Sequence, residues 1–268
     1  MKHYIIFLLA LLVVSCDVIP DTEFTDRPVV CCYLSAGETP SLTVSKLIPF
    51  QSDATFSDED VEKLDITITD LTTETDYALK SVGGGVYDND ALVVEIGHSY
   101  RLSFEYDNVP VTAETVVPTL PENVSFSSTS IEVMSFMPRP ASKAPQEGIE
   151  ISWTNDDNEY YIVEGITTST NSIRDIDEDD EMPSQSFKLN YTQGSSTSLS
   201  SSDFNYFGTY QVSVIHINPE YAVMSQGGST SSTTLVDIKG NIDGGYGIFT
   251  GISSVTQSIK VSQGSSPF

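Results

Sequence analysis

The densest set of potential ligands is the run Arg174-Asp-Ile-Asp-Glu-Asp-Asp-Glu181. Asp175, Asp177 and Asp179 stand at the first, third and fifth positions of a calcium loop, where hard carboxylate oxygens would surround the ion. The sixth position, which makes the turn, is Asp180 instead of Gly, and the twelfth, which supplies the bidentate ligand, is Ser186 instead of Glu. Those departures favour a solvated acidic loop, so the three aspartates remain a calcium candidate and no metal is expected. His98 lies in a Gly-His-Ser turn, and His216 continues the phase of Tyr210, Val212 and Val214, the position of a sheet residue. HExxH and GxSxG are absent, which removes the footing for a zinc hydrolase or an α/β-hydrolase. With 38 acidic residues some carboxylate pair arises in any fold, so their abundance does not argue for glycoside hydrolysis. No catalytic residue and no cofactor are expected.

The stretch Lys239-Gly-Asn-Ile-Asp-Gly-Gly-Tyr-Gly-Ile-Phe-Thr-Gly-Ile252 fits neither GxxxxGK[ST] nor GxGxxG, so phosphate cradling has no support. Asp243-Gly244-Gly245 suits a tight turn, and Gly247 and Gly251 allow close backbone approach. Two readings stand side by side. One is a Gly-rich hairpin whose Tyr246, Ile248 and Phe249 re-enter the sheet. The other is a loop that docks a partner through Gly244, Gly245, Tyr246 and Phe249.

Three cysteines complete the reactive groups. Cys31 and Cys32 are adjacent, so in a strand they point to opposite faces, and a bond between them would be strained. They are expected as unpaired thiols. Cys16 closes the segment MKHYIIFLLALLVVSC, in which Lys2 and His3 precede an apolar run from Tyr4 to Val14. That run is about half of the roughly 20 residues needed to span a bilayer as a helix, which favours a signal peptide. Val13-Val14-Ser15-Cys16 resembles a lipobox, which implies cleavage before Cys16 and acylation of that residue. Two or more acyl chains, at about 0.8 kcal/mol per buried methylene, suffice for stable anchoring in a lipid bilayer.

Of the 268 residues, 12 are Lys or Arg and 38 are Asp or Glu, a net charge of -26. Removing Lys2 with the signal leaves 11 basic against 38 acidic side chains, or -27. Such a polyanion is repelled by phosphate backbones and anionic headgroups, so no nucleic acid is expected as a partner.

The elements that must position these residues are almost all strands. Leu64, Ile66 and Ile68 alternate, as do Tyr100, Leu102, Phe104 and Tyr106, then Val109, Val111 and Ala113. Ile149, Ile151 and Trp153 follow, then Tyr210, Val212 and Val214, then Tyr246 and Ile248. Period-two alternation buries one face and wets the other. A short helix is expected after Asn218-Pro219-Glu220, where Pro suits the first helical position. Gly83-Gly84-Gly85 marks a hairpin. The prolines of Val117-Pro118-Thr119-Leu120-Pro121 cannot continue a central strand. The expected organisation is a signal peptide (1–15), an acylated tether (16–26), an N-terminal β-sandwich (27–117), a linker (118–123) and a C-terminal sandwich-like portion (124–268) carrying the Gly-rich motif at 240–251. The fold class is all-β, with two immunoglobulin-like or transthyretin-like sandwich portions after a lipidated tether.

The run Asn241-Ile-Asp-Gly-Gly-Tyr-Gly-Ile-Phe249 resembles the Bacteroidota outer-membrane lipoprotein family of domain of unknown function 4249. The likeness extends to the lipobox, Cys32-Tyr-Leu-Ser35, Leu42-Thr-Val-Ser-Lys-Leu-Ile-Pro49, Gly84-Gly-Val-Tyr87 and Gly97-His-Ser-Tyr100. The resemblance implies two sandwich-like portions, a lipid anchor in the outer membrane and an accessory role beside a TonB-dependent receptor. Acidic residues after Cys16 also resemble a surface-export signal. The function expected is a non-catalytic binding or accessory lipoprotein. The alternative is a fimbrillin-like structural or adhesive subunit, in which Ser258–Phe268 would donate a strand.

Overall fold

The computed structural model describes residues 26–46, 61–133, 148–173, 181–227 and 240–264. Cys16 and the calcium candidate Asp175, Asp177 and Asp179 lie outside the described residues.

In chain order the strands of the first half are β1 Pro28–Ser35, β2 Ser41–Lys46, β3 Thr67–Asp70, β4 Thr75–Ala78, β5 Lys80–Gly83, β6 Val86–Asp88, β7 Ser99–Tyr106 and β8 Val109–Val116. The second half contributes β9 Ser125–Phe126, β10 Ser130–Val133, β11 Ile149–Ser152, β12 Tyr160–Thr167, β13 Ser186–Lys188, β14 Ser196–Leu199 and β15 Gly208–Ile217. Helix α1 (Pro219–Gly227) and the final strand β16 (Tyr246–Gln263) complete it. The chain is mostly β.

The alternation expected from the sequence is the burial that forms in most of these runs, although Val109 is exposed and Leu64 and Tyr246 are half-buried. Tyr100, Leu102, Phe104 and Tyr106 all point into the first core, and Tyr210, Val212 and Val214 into the second. Fully burying a large apolar side chain stabilises by about 1.5–3 kcal/mol, so such runs decide which face of each strand turns inward. Cys31 is exposed and Cys32 buried, both as free thiols, and the helix begins at Pro219.

Three sheets carry the two cores. The largest runs β13-β12-β15-β16-β1-β2-β6-β5, with β10 also paired to β16. A four-stranded sheet, β4-β3-β7-β8, packs over its β1-β2-β6 end, and a three-stranded sheet, β14-β11-β9, over its other end. The chain passes from β4 in one sheet to β5 in the other at the buried Leu79.

One strand serves both cores. Residues Tyr246–Ile252 of β16 run parallel to β1, and Ile252–Val261 run antiparallel to β15. At about 3.3 Å per residue its 18 residues span roughly 55–60 Å. Phe249 belongs to the first core, while Ile259 and Val261 belong to the second, all on the odd-numbered face. The expected division therefore needs one correction: the Gly-rich residues packed at 242–251 join the first core, because β16 completes the sheet of β1. With pairing on both sides, this strand closes its own sheet.

Candidate functional site

The Gly-rich segment meets β1 and β8 at backbone distance. Gly247 has φ +101°, and a β-carbon there would fall 2.9 Å from both the nitrogen and the carbonyl carbon of Val30. A β-carbon on Gly245 would lie 2.8 Å from the Pro28 carbonyl oxygen, and one on Gly251 would lie 2.5 Å from that of Val116. Gly244, at φ +81°, presses against the Pro110 carbonyl. Only a residue without a side chain lets three backbone segments approach this closely.

Asparagine finishes the joint. The Asn241 amide donates to the Phe249 carbonyl (2.7 Å) and accepts from the Phe249 N–H (3.0 Å), as a neighbouring strand residue would. Asp243 exchanges both backbone bonds with Thr112 of β8, at 2.8 and 3.0 Å. Of the four residues read as a docking loop, Phe249 is fully buried in the first core and has no surface to offer a partner. Gly244, Gly245 and Tyr246 are half-buried. The Arg27 guanidinium sits 5.8 Å from the Tyr246 ring centre, so this turn flanks the point where the chain enters the body.

A groove of about 560 Å³ opens beside it. Its floor is a row of hydroxyls, Thr67, Ser103 and Thr112, on three adjacent strands, edged by Lys63, Asp65 and Glu105. Thr112 is the residue that Asp243 holds, so the Gly-rich segment supports one wall of the groove.

The two described histidines, His98 and His216, face acceptors. His98 Nδ1 lies 2.8 Å from Asp70 Oδ2, and its Nε2 lies 3.2 Å from Glu95 Oε2. The bond with Asp70 raises the imidazole above its ordinary value, against the opposing effect of desolvation. Burial alone would raise the Asp70 carboxyl. Bonds from His98 and from the N–H groups of Thr72 and Thr73 outweigh it and hold the group below the ordinary range. His216 is buried, stacked on Tyr161 at 4.7 Å, with Nδ1 2.8 Å from the Thr119 carbonyl and Nε2 3.0 Å from Glu159. Both ring nitrogens of each histidine face an acceptor other than a hydroxyl or thiol, so neither is placed to activate a nucleophile. Among the described residues no group of three or more His, Cys, Asp or Glu side chains is arranged for a metal ion. No helix of those residues is long and apolar enough to cross a membrane.

A polar network escaped the sequence reading altogether. Thr115 and Thr250, both buried, donate their hydroxyls to Glu220 Oε1 at 3.1 and 3.0 Å. Thr115 also accepts the Gly251 N–H (2.9 Å), and the Asn218 amide donates to the Val116 carbonyl (2.8 Å). It ties the start of α1 to β8 and β16. No local pattern announces it, since Thr115 lies more than 100 residues from both Glu220 and Gly251 along the chain.

Comparison with known proteins follows from this geometry. No curated protein matches the sequence. Among solved structures, the two-domain fibronectin type-III segment of chicken tenascin aligns at 13% identity. That alignment covers 87% of this chain and 99% of that one, with a TM-score of 0.23. The family model described as domain of unknown function (DUF4249) matches residues 14–258. This match spans the Gly-rich joint, the first core, most of the second and the shared strand as far as Ser258, and the chain belongs to the DUF4249 family.

Proposed function

We propose that the protein is a non-catalytic, lipid-anchored envelope protein of Bacteroidota, held in the outer membrane by acylated Cys16, that serves as a binding or accessory component of a TonB-dependent transporter. One observation carries the reading. The chain enters the body at Arg27 and Pro28, directly against Gly245 and Tyr246. Eleven residues, Asp17 to Arg27, separate that point from Cys16. At 3.3–3.6 Å per residue they reach at most about 40 Å. The Gly-rich turn and its groove therefore stay within that distance of the anchor, in the layer where the loops of a β-barrel in the same membrane would project.

The test is recovery of the tagged full chain from membranes in mild detergent. A β-barrel receptor should come with it, and replacing Cys16 by Ala should move the protein to the soluble fraction. Repeated recovery of the protein alone would sink the transporter role, while a Cys16→Ala chain that stays membrane-bound would sink the anchor.

A further inference from the structure

The segment between the two cores is gripped from both sides at a histidine. On the first side, Gly97 N–H donates to the Val117 carbonyl and Val117 N–H donates to the His98 carbonyl, each at 2.9 Å. On the second, the Thr119 carbonyl takes His216 Nδ1 at 2.8 Å and the Ser253 hydroxyl at 2.6 Å. The chain is thus held by two bonds at Val117, the last residue of the first core before the linker, and by two more at Thr119, two residues on, from strands of the second portion.

The His98 backbone is held by its N–H, which donates to the Glu95 carbonyl at 3.3 Å, and by its ring. Nδ1 faces Asp70 at the end of β3, and Nε2 faces Glu95 in the turn before β7. Both partners are carboxylates, which only accept. A neutral imidazole has a single N–H and can satisfy one of them; the imidazolium satisfies both. Tyr100 of β7 stacks at 6.3 Å, and its phenol oxygen accepts the Glu95 N–H at 2.9 Å, so the backbone on the Glu95 side is held as well. Asp70 is anchored from behind by the Thr72 and Thr73 N–H groups, and Thr72 Oγ1 accepts the Ser99 N–H at 3.0 Å.

We propose that His98 is a proton-operated latch on the junction between the two cores. Doubly protonated, it locks the Gly97–His98 turn between β3 and β7, and the turn holds Val117. Deprotonation leaves one of the two carboxylates without its bond from the ring, frees the turn, and opens the two backbone bonds to Val117. The sign follows from the two shifts. The His98 value is raised on folding, so its contribution is complete below the ordinary 6.5 and lost as pH rises through the folded value. The Asp70 value is lowered, so its contribution holds above the ordinary 3.8 and is lost only as pH falls through the folded value. The latch is closed between those limits and opens toward alkaline pH. This goes beyond the transporter reading and does not depend on it.

The experiment is an NMR pH titration of the isotope-labelled full chain, following the His98 ring and hydrogen exchange at the Gly97 and Val117 amides. The ring should titrate above 6.5. Over the same interval amide protection, corrected for intrinsic base catalysis, should fall by about tenfold for each unit of displacement. Glu95→Gln replaces the exposed second carboxylate by a neutral amide, whose NH2 can donate to a deprotonated ring nitrogen, without touching the core, and should lower the ring's value and shrink the step in protection. His98→Gln should show no step; if that variant fails to fold, the Glu95→Gln comparison carries the test. A ring value at or below 6.5, or Val117 protection unchanged across the ring's titration, would overturn the latch.

Discussion

Gly247→Ala separates a joint from a docking loop. The φ of +101° strains any residue with a β-carbon, at about 1–3 kcal/mol. The new methyl group also enters the Val30 peptide, lying 2.9 Å from its nitrogen and carbonyl carbon. That obstacle is backbone, so relief requires β1 and β16 to part where Val30 and Gly247 are in register. Overpacking of this kind costs about 1–3 kcal/mol more. The sum, about 2–6 kcal/mol, is a large share of the 5–15 kcal/mol that folded domains usually possess.

Gly84→Ala is the control. It has φ +62° with nothing within 4 Å of its would-be β-carbon, so it carries the backbone penalty without the clash, about 1–2 kcal/mol. Urea unfolding read by circular dichroism and by Trp153 fluorescence is the assay. With m near 2–3 kcal/mol/M, Gly247→Ala should lower the midpoint by roughly 0.7–3 M at unchanged m. Trp153 lies in the second core, and β16 is shared, so its transition should move with that of the whole chain. A midpoint within about 0.2 M of the unaltered chain would refute the reasoning. Loss of receptor recovery at unchanged stability would restore Gly247's segment as a docking loop.

Three further outcomes follow from the same geometry. Thr115→Val leaves the buried Gly251 N–H without its acceptor and Glu220 with the Thr250 hydroxyl alone, and should lower stability by about 1–3 kcal/mol in chemical denaturation. A thiol reagent should modify exposed Cys31 in the folded chain but reach Cys32 only on unfolding, since burial, with Cys31 beside it, pushes the Cys32 thiol far up; mass mapping after brief alkylation checks this. Asp70→Asn should abolish the raised His98 value. The melting-temperature difference from the unaltered chain should be greatest between the ordinary carboxylate and imidazole values and decline on either side.

How much of this was legible in the sequence depends on which residues carry the signal. Tyr100 to Tyr106 announce their strand because four large side chains at period two leave one face for the core. The same rule misleads at β16. Tyr246 and Ile248 alternate visibly, yet the face turned to the first core is that of Gly247, Phe249 and Gly251. Glycine contributes nothing to a hydropathy pattern, so alternation cannot detect a face built by backbone contact. The prolines at 118 and 121 mark a break correctly as chain geometry. They say nothing of a strand that returns across it more than 200 residues after β1, because parallel pairing at that separation leaves no local trace. His98 was visible in its turn; Asp70, 28 residues earlier, was not, because a carboxylate at a strand end looks the same whether or not it has a partner.

The late arrival of β16 constrains the charge as well as the fold. Until residues 246–252 are in place, β1 presents an open edge with Val30, Cys32 and Leu34 on its inward face. An open apolar edge is a template for pairing with other chains. Its proper partner must be brought back around a loop of about 200 residues, and the entropy of that closure precedes any stabilising contact. A chain made from its N-terminus therefore holds its first sheet incomplete until nearly all of it exists. Mutual repulsion between copies bearing 38 acidic and 12 basic side chains disfavours edge-to-edge encounters during that interval. The more specific consequence of the acidity is to protect a body whose central strand is made late. Reducing the charge on exposed acids remote from both cores should then leave the melting temperature nearly unchanged while lowering the yield on refolding, in proportion to protein concentration. Equal refolding yields for the two chains across a concentration series would show that the open edge needs no such protection.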